Sequence, residues 1–214
     1  MLGLIRKDLY YLGSGWKLLL LSILIISGYA TSHNAGAIVI VLLPTFFGLS
    51  VLGCVQQDAQ KKWYDYHKVL PISVRGIVSA RYLAYLSFVG AGFLITAVYG
   101  YGIQFTIGIE ALGTRFAMWQ GFLLGWAIAL AFAALFLPAT YYTKGEKMEM
   151  SMILSGFLSF GSIRLVMFVL KLFDINLVDY TDIFIQLLFA AAIIAFCISW
   201  LLSLCIYQNR IKKA

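Results

Sequence analysis

Residues 116–140 read FAMWQGFLLGWAIALAFAALFLPAT, a run that contains no charged side chain. A helix that crosses a bilayer needs about 20 consecutive apolar residues, and its backbone polar groups must be bonded within the segment. The run therefore predicts a transmembrane helix. The sequence as a whole predicts an all-α integral membrane protein, a single transmembrane domain over residues 1–214 whose other five spans cover approximately residues 16–32, 36–55, 82–103, 149–171 and 183–207.

The composition of the chain is that of a membrane protein. Hydrophobic residues make up 62% of the 214 positions and charged residues only 12%, whereas soluble domains carry about 25% charged residues. So few charges cannot cover a water-facing surface, which excludes an ordinary soluble enzyme or a nucleic-acid-binding domain. For the first apolar run alone, a secretory signal peptide cleaved near Ala35-Gly36-Ala37 is the alternative interpretation.

The placement of Lys and Arg predicts the orientation of the spans. With the N-terminus in the cytoplasm, thirteen of the 16 basic residues fall on the cytoplasmic side, and Arg115 and Lys171 fall outside. This is the bias expected of cytoplasmic loops. An even number of spans then puts both termini inside, in a multi-pass plasma-membrane protein. The net charge of +7 is explained by topology, so no nucleic-acid partner is predicted.

Residues that carry chemistry are missing from the sequence. His33 and His67 fall on opposite sides of the predicted membrane, so they cannot build a metal site together with Cys or carboxylate ligands. The chain also lacks the Gly-x-x-x-x-Gly-Lys-Ser/Thr sequence that binds ATP phosphates. We therefore predict no catalytic residue, no metal and no cofactor in this chain, which leaves transport or a structural role in the membrane.

Two segments outside the spans are amphipathic. Residues 1–15 place apolar side chains at helical spacing and predict an interfacial helix on the inner surface of the bilayer. This helix is either an elbow that couples cytoplasmic motion to the first span or a plain anchor. The second segment belongs to the cytoplasmic loop at residues 56–81, where Ala59, Trp63, Tyr66 and Leu70 share one helical face. Asp58 and Lys62 form an i,i+4 pair of opposite charge on the same predicted helix.

The loop at residues 56–81 predicts a helix, a break and a second helix. Pro71 ends the first helix, because the residue before proline avoids the helical region. Ser73 then caps a helix that runs through Arg75 and Arg81 into the third span. Two short helices with charged and aromatic side chains form a compact protrusion that suits docking into a groove on a partner. An interfacial helix with Trp63 at the headgroups is the alternative.

The same loop resembles the cytoplasmic loop of ABC-2 type transporter permeases. The resemblance rests on Asp58-x-x-Lys61-Lys62-Trp63, on Val69-Leu70-Pro71-Ile72-Ser73-Val74-Arg75, and on Ala80-Arg81-Tyr82-Leu83. The opening Leu4-Ile5-Arg6-Lys7-Asp8-Leu9-Tyr10 and the loop Thr143-Lys144-Gly145-Glu146-Lys147 are also similar to family elements. The sequence departs from the family pattern at Val74, where a basic residue is common.

The resemblance implies a function and a set of contacts. Such permeases form dimers, with a second copy or a related permease, and dock a separate ABC ATP-binding subunit that holds ATP and Mg. Small members export peptides or amphipathic, drug-like molecules across bacterial plasma membranes. The implied docking residues are Asp58, Lys61, Lys62, Trp63, Tyr66, His67, Leu70, Pro71 and Arg75, and the implied secondary cytoplasmic contacts are Lys144, Glu146 and Lys147.

A second class of function stays open. The substrate-capture subunit of a vitamin-type importer has a similar size and span number. The long basic loop after the second span argues against it, because a capture subunit does not need such a loop.

Polar and small residues inside the spans have two interpretations each. Arg164 lies within the fifth span, where it either lines a translocation path or forms a salt bridge, since a buried charge needs a partner or water. Asp174 and Asp182 are the suggested partners. Stripes of small residues either pack one bundle together or form a dimer seam. These stripes are Gly121, Gly125, Ala129 and Ala133; Ser151, Ser155 and Ser159; and Ala191, Ala195, Ser199 and Ser203.

Overall fold

The computed structural model describes residue 7 and residues 16–60, 73–108, 117–143, 147–172 and 181–213. Within these ranges the chain is almost entirely helical and no strand occurs. The described residues form six helices over the six predicted apolar segments: α1 Trp16–Ser32, α2 Gly36–Gln60, α3 Val74–Thr106, α4 Met118–Thr143, α5 Met148–Leu172 and α6 Thr181–Lys213.

Four stretches of the described chain are long and apolar enough to cross a membrane. They are Gly36–Gln60, Val74–Thr106, Met118–Thr143 and Thr181–Asn209, while Leu21–Ser32 is a shorter apolar helix. The all-helical membrane class is therefore confirmed. The count of six spans, the cytoplasmic termini and the cytoplasmic helix stay predictions.

Helix α4 forms the centre of the bundle. It packs most extensively on α6 and also contacts α2, α3 and α5. Ala127, Ala129 and Ala133 of α4 have no exposed surface. The main core lies between α4 and the inner halves of α2, α3 and α6. Inner means the C-terminal half of α2, the N-terminal half of α3 and the C-terminal half of α6. The largest fully buried side chains of the main core include Val51, Val55, Val78, Tyr85, Val89, Phe136 and Leu137.

The small-residue stripe of α4 packs inside the bundle. A Cβ atom added at Gly125 would lie 3.0 Å from the backbone oxygen of Val41 and 3.1 Å from that of Ile40. The backbones of α2 and α4 therefore touch at Gly125, as small residues in membrane helices allow. Ala129 and Ala133 continue the stripe and are buried, so the bundle-packing interpretation is confirmed for this helix.

The stripes of α5 and α6 differ from each other. Ser151, Ser155 and Ser159 of α5 are buried, and each hydroxyl donates to the carbonyl four residues earlier. In α6, Ser199 and Ser203 are buried, but Ala191 and Ala195 are exposed. The stripe of α6 is thus used for packing within this chain only in its inner half.

Local signals set the ends of two helices. Ser73 is the N-cap of α3, and the backbone N–H of Gly76 donates to its Oγ over 3.2 Å. This confirms the predicted cap and the predicted run through Arg75 and Arg81 into one long helix. Between α1 and α2 the chain turns at His33, Asn34 and Ala35, with Asn34 at φ 53°. Asparagine is among the residues that tolerate this left-handed conformation.

Candidate functional site

A buried ion cluster joins three parts of the chain that are distant in sequence. Asp58 lies in the last turn of α2, and its Oδ1 accepts from Lys7 Nζ over 2.6 Å. Its Oδ2 accepts from the guanidinium of Arg81 in α3. The side chain of Asp58 is 3% exposed, that of Arg81 12% and that of Lys7 19%. We call Lys7, Asp58 and Arg81 the ion cluster.

The residues of the ion cluster stay paired because an unpaired charge is unfavourable away from water. A carboxylate removed from water is tolerated only when it is paired and hydrogen-bonded. Both oxygens of Asp58 have a cationic donor, so this requirement is met. Removing one partner would leave an uncompensated charge in the core. The N-terminal segment, the end of α2 and the start of α3 are therefore fixed to each other at this point.

The next residues of α3 bond to α4 and α6. Tyr82 Oη lies 2.7 Å from Ser199 Oγ and 2.8 Å from Ser203 Oγ, both in α6. Tyr85 Oη donates to the carbonyl oxygen of Ala129 in α4 over 2.7 Å. All of these groups are buried. Because the bilayer offers no water to replace such bonds, they fix the rotation of α3 and its position along α4 and α6.

Two further contacts complete this region. Trp200 Nε1 of α6 donates to Ser79 Oγ of α3 over 3.2 Å. A Cβ atom at Gly48 would lie 2.6 Å from Tyr85 Oη, so α2 approaches the ring closely enough to need glycine there. Residues 79–85 of α3 thus bond or pack against α2, α4 and α6 within two helical turns. We call residues 79–85 the α3 base.

At its other end α3 is tied to α1 instead. Tyr99 Oη lies 2.8 Å from Thr31 Oγ1 and donates to the carbonyl oxygen of Ser27 over 3.3 Å. Phe93 of α3 meets Phe122 of α4 edge to face. The two halves of α3 therefore have different polar partners: α2, α4 and α6 near the loop, and α1 at the far end.

The structure describes only part of the predicted docking residues. Arg75 is exposed in the first turn of α3, and Lys147 is exposed just before α5. Asp58 is buried in the ion cluster rather than exposed. The remaining predicted contacts lie outside the described residues: Lys61, Lys62, Trp63, Tyr66, His67, Leu70, Pro71, Lys144 and Glu146. Residues 1–15 also lie outside them, apart from Lys7, which is helical.

Arg164 lies on the exposed side of α5. It forms no hydrogen bond or ion pair with another residue of the described ranges, and of its two suggested partners Asp174 lies outside these ranges. The other, Asp182, accepts from Gln120 Nε2 at the start of α4. Phe157 and Phe168, at helical spacing from Arg164, are 76% and 63% exposed on α5.

Sequence reasoning missed the ion cluster and the α3 base as sites. The signal for the first was an aspartate in the last turn of an apolar helix, which needs a cation nearby. Sequence periodicity assigned it to Lys62, four residues later, because neighbours on one helix are all that periodicity can identify. The signal for the second was weak, since Tyr82 and Tyr85 resemble ordinary aromatic residues of a span. Across the described residues, no group of three or more His, Cys, Asp and Glu is placed to hold a metal ion.

An apolar helical bundle of this kind, with a buried ion cluster and several helices long enough to cross a bilayer, is an integral membrane protein with multiple spans. The chain belongs to the ABC-2 family of transporters: a family model described as "ABC-2 family transporter protein" matches residues 3–208. Members of this family are transmembrane components of ABC transporters and work with an ABC ATP-binding partner. No curated protein and no solved structure matches the sequence at a significant level.

Proposed function

We propose that the chain is the permease subunit of an ATP-driven exporter that moves peptides or amphipathic, drug-like molecules out of the cell. A separate ABC subunit binds ATP and Mg and docks at residues 57–75. Closure of that subunit on ATP switches the permease from inward-facing to outward-facing. Two copies, or one copy and a related permease, enclose the translocation path.

The observation that carries this proposal is the family match over residues 3–208. It covers the apolar helices and the loop between α2 and α3, so the whole chain has the organisation of a permease. The match also favours a permease over the capture subunit of a vitamin-type importer. The bias of basic residues toward the predicted cytoplasmic side supports a loop that faces the compartment where ATP is present.

The exposed face of α5 supports the suggested kind of cargo. Phe157, Arg164 and Phe168 follow each other at helical spacing on this face. Aromatic rings bind apolar surface, and a guanidinium binds carboxylate or carbonyl groups. A face with both suits an amphipathic molecule, so we include Arg164 in the proposed path.

The experiment that tests the proposal uses the docking loop. The permease is co-expressed with an ABC ATP-binding subunit from the same cell and purified, and Trp63→Ala is compared with wild type. We expect wild type to retain the ATPase subunit on an affinity column. Trp63→Ala should retain several-fold less, because an aromatic anchor at the centre of an interface commonly contributes more than about 2 kcal/mol.

Trp119→Ala is the matched control. It removes the same type of side chain at the start of α4, outside residues 57–75, and Trp119 is 42% exposed. It should retain the ATPase subunit as wild type does. Equal retention by Trp63→Ala and wild type would contradict the docking assignment. A wild-type chain that retains no ATPase, yet holds a small molecule tightly alone, would favour the capture subunit.

A further inference from the structure

The ion cluster bridges the two flanks of the proposed docking loop. Asp58 lies three residues before residue 61, and Arg81 lies in the second turn after the Ser73 cap. Their ion pair closes the chain between them into a loop whose two ends cannot separate. Lys7 pairs with the same carboxylate. The ion cluster therefore links Lys7, the end of α2 and the start of α3.

The α3 base continues this connection into the bundle. Tyr82 follows Arg81 directly and bonds to Ser199 and Ser203 of α6, and Tyr85 lies one turn further on and bonds to α4. Bonds between buried groups break at a cost, so the helices they join respond together rather than slide freely. The path from the loop to α6 is thus made of contacts between neighbouring residues.

We propose that Asp58 is a positioning residue that transmits nucleotide-driven motion of the docking loop to α6 through Arg81 and Tyr82, and that it does not itself contact the ATPase subunit. This inference rests on the proposed function. It assigns to Asp58 a role different from that of the exposed loop residues. It also explains why an acidic residue is buried at the membrane boundary, where a neutral side chain would be easier to accommodate.

The test uses the complex of the full chain with its ATPase subunit in lipid nanodiscs. Hydrogen exchange of residues 199–209, the inner end of α6, is measured by mass spectrometry with and without Mg-ATP under non-hydrolysing conditions. In wild type, Mg-ATP should change the exchange rate of this segment. In Asp58→Asn we expect the ATPase subunit to remain bound and the response to Mg-ATP to fall about tenfold. Asp58→Glu keeps the charge and should restore most of the response.

A second variant separates transmission from simple stability. In Lys7→Gln/Asp58→Asn/Arg81→Gln all three members of the ion cluster are neutral, so no charge is left buried without its partner. A purely stabilising ion cluster predicts that this triple variant recovers the response to Mg-ATP. The proposal predicts that the response stays lost, because the connection between loop and α3 is still missing. If Asp58→Asn alone does not fold, this triple variant and Asp58→Glu carry the test.

Three results would overturn the inference. Loss of ATPase binding in Asp58→Asn would place Asp58 in the docking surface. A response to Mg-ATP equal to that of wild type in Asp58→Asn, or its recovery in the triple variant, would show that the ion cluster transmits nothing. Failure of wild type to bind the ATPase subunit would contradict the proposed function itself. That result comes from wild type alone, so it is distinct from any difference between wild type and the variants.

Discussion

The hydroxyl of Tyr82 lies within hydrogen-bond distance of two serines of α6, Ser199 and Ser203. We expect Tyr82→Phe to lower the free energy of unfolding by about 1 kcal/mol, since a buried hydrogen bond in a helical membrane protein contributes an amount of this order. Unfolding of the purified chain in mixed detergent micelles measures the difference. The ring remains in place, so packing against Phe196 is retained.

Tyr101→Phe is the control for that prediction. Tyr101 lies on the same helix but is 51% exposed, and no hydrogen bond of its hydroxyl is found within the described ranges. Removal of its hydroxyl should leave the free energy of unfolding unchanged. If Tyr82→Phe and Tyr101→Phe are equally stable, the contact between α3 and α6 does not depend on the tyrosine hydroxyl.

At the residue scale, sequence reasoning could identify charges but not their distant partners. The sequence marks Asp58 as a residue of interest and offers Lys62 as a partner at helical spacing. The structure pairs Asp58 with Lys7 and Arg81, which lie 51 positions before it and 23 after it. Periodicity describes one helix at a time, whereas this pairing depends on how three segments meet in space.

Helices were predicted more fully than contacts. The Ser73 cap and the continuous helix from Arg75 to Arg81 follow from the side-chain oxygen of serine and the break at Pro71, and both are local effects. The predicted third span began at residue 82, but α3 begins at Val74. The apolar run marks only the most hydrophobic part of a helix, whereas residues 74–81 continue α3 toward the loop and bury Ile77, Val78 and Ala80 in the bundle.

The contact between α2 and α4 gives a prediction at the scale of these helices. A methyl group at Gly125 would meet the backbone oxygens of Ile40 and Val41 at 3.0–3.1 Å, and neither oxygen can rotate away. Gly125→Ala should therefore push α2 from α4 and lower the free energy of unfolding by about 1–3 kcal/mol. Detergent unfolding followed by circular dichroism measures it.

Gly90→Ala provides the matched comparison on α3. A Cβ atom at Gly90 has no other atom within 4 Å, so the added methyl group causes no clash. This variant should be unchanged or more stable by up to about 1 kcal/mol, because alanine restricts the unfolded chain. Equal losses in both variants would mean that the approach of α2 to α4 does not determine the effect of Gly125→Ala.

For the whole molecule, the orientation predicted from Lys and Arg leads to a labelling experiment. The three native cysteines, Cys54, Cys197 and Cys205, are replaced by serine or alanine. His33→Cys in the turn after α1 should react with a membrane-impermeant maleimide in intact cells. Gln60→Cys at the end of α2 should react only after lysis. Both positions are exposed, so a difference in labelling reports the side of the membrane.

Asn209→Cys extends the labelling to the last helix. It is exposed near the end of α6 and should behave like Gln60→Cys if both termini are cytoplasmic. Labelling of Asn209→Cys in intact cells would rule out an even number of spans. Failure of His33→Cys to react in intact cells, with normal labelling after lysis, would mean that α1 does not cross the membrane.

The residues of the ion cluster are synthesised at different times. Lys7 leaves the ribosome 51 residues before Asp58, a delay of roughly 3 to 10 seconds at translation rates of about 5–20 residues per second. During that interval its ammonium group is present without the carboxylate, and positive charge of this kind holds a flanking segment on the cytoplasmic side of an inserting helix. With the predicted cytoplasmic N-terminus, we therefore expect Lys7 first to help orient the nascent helices and later to pair with Asp58 in the folded bundle.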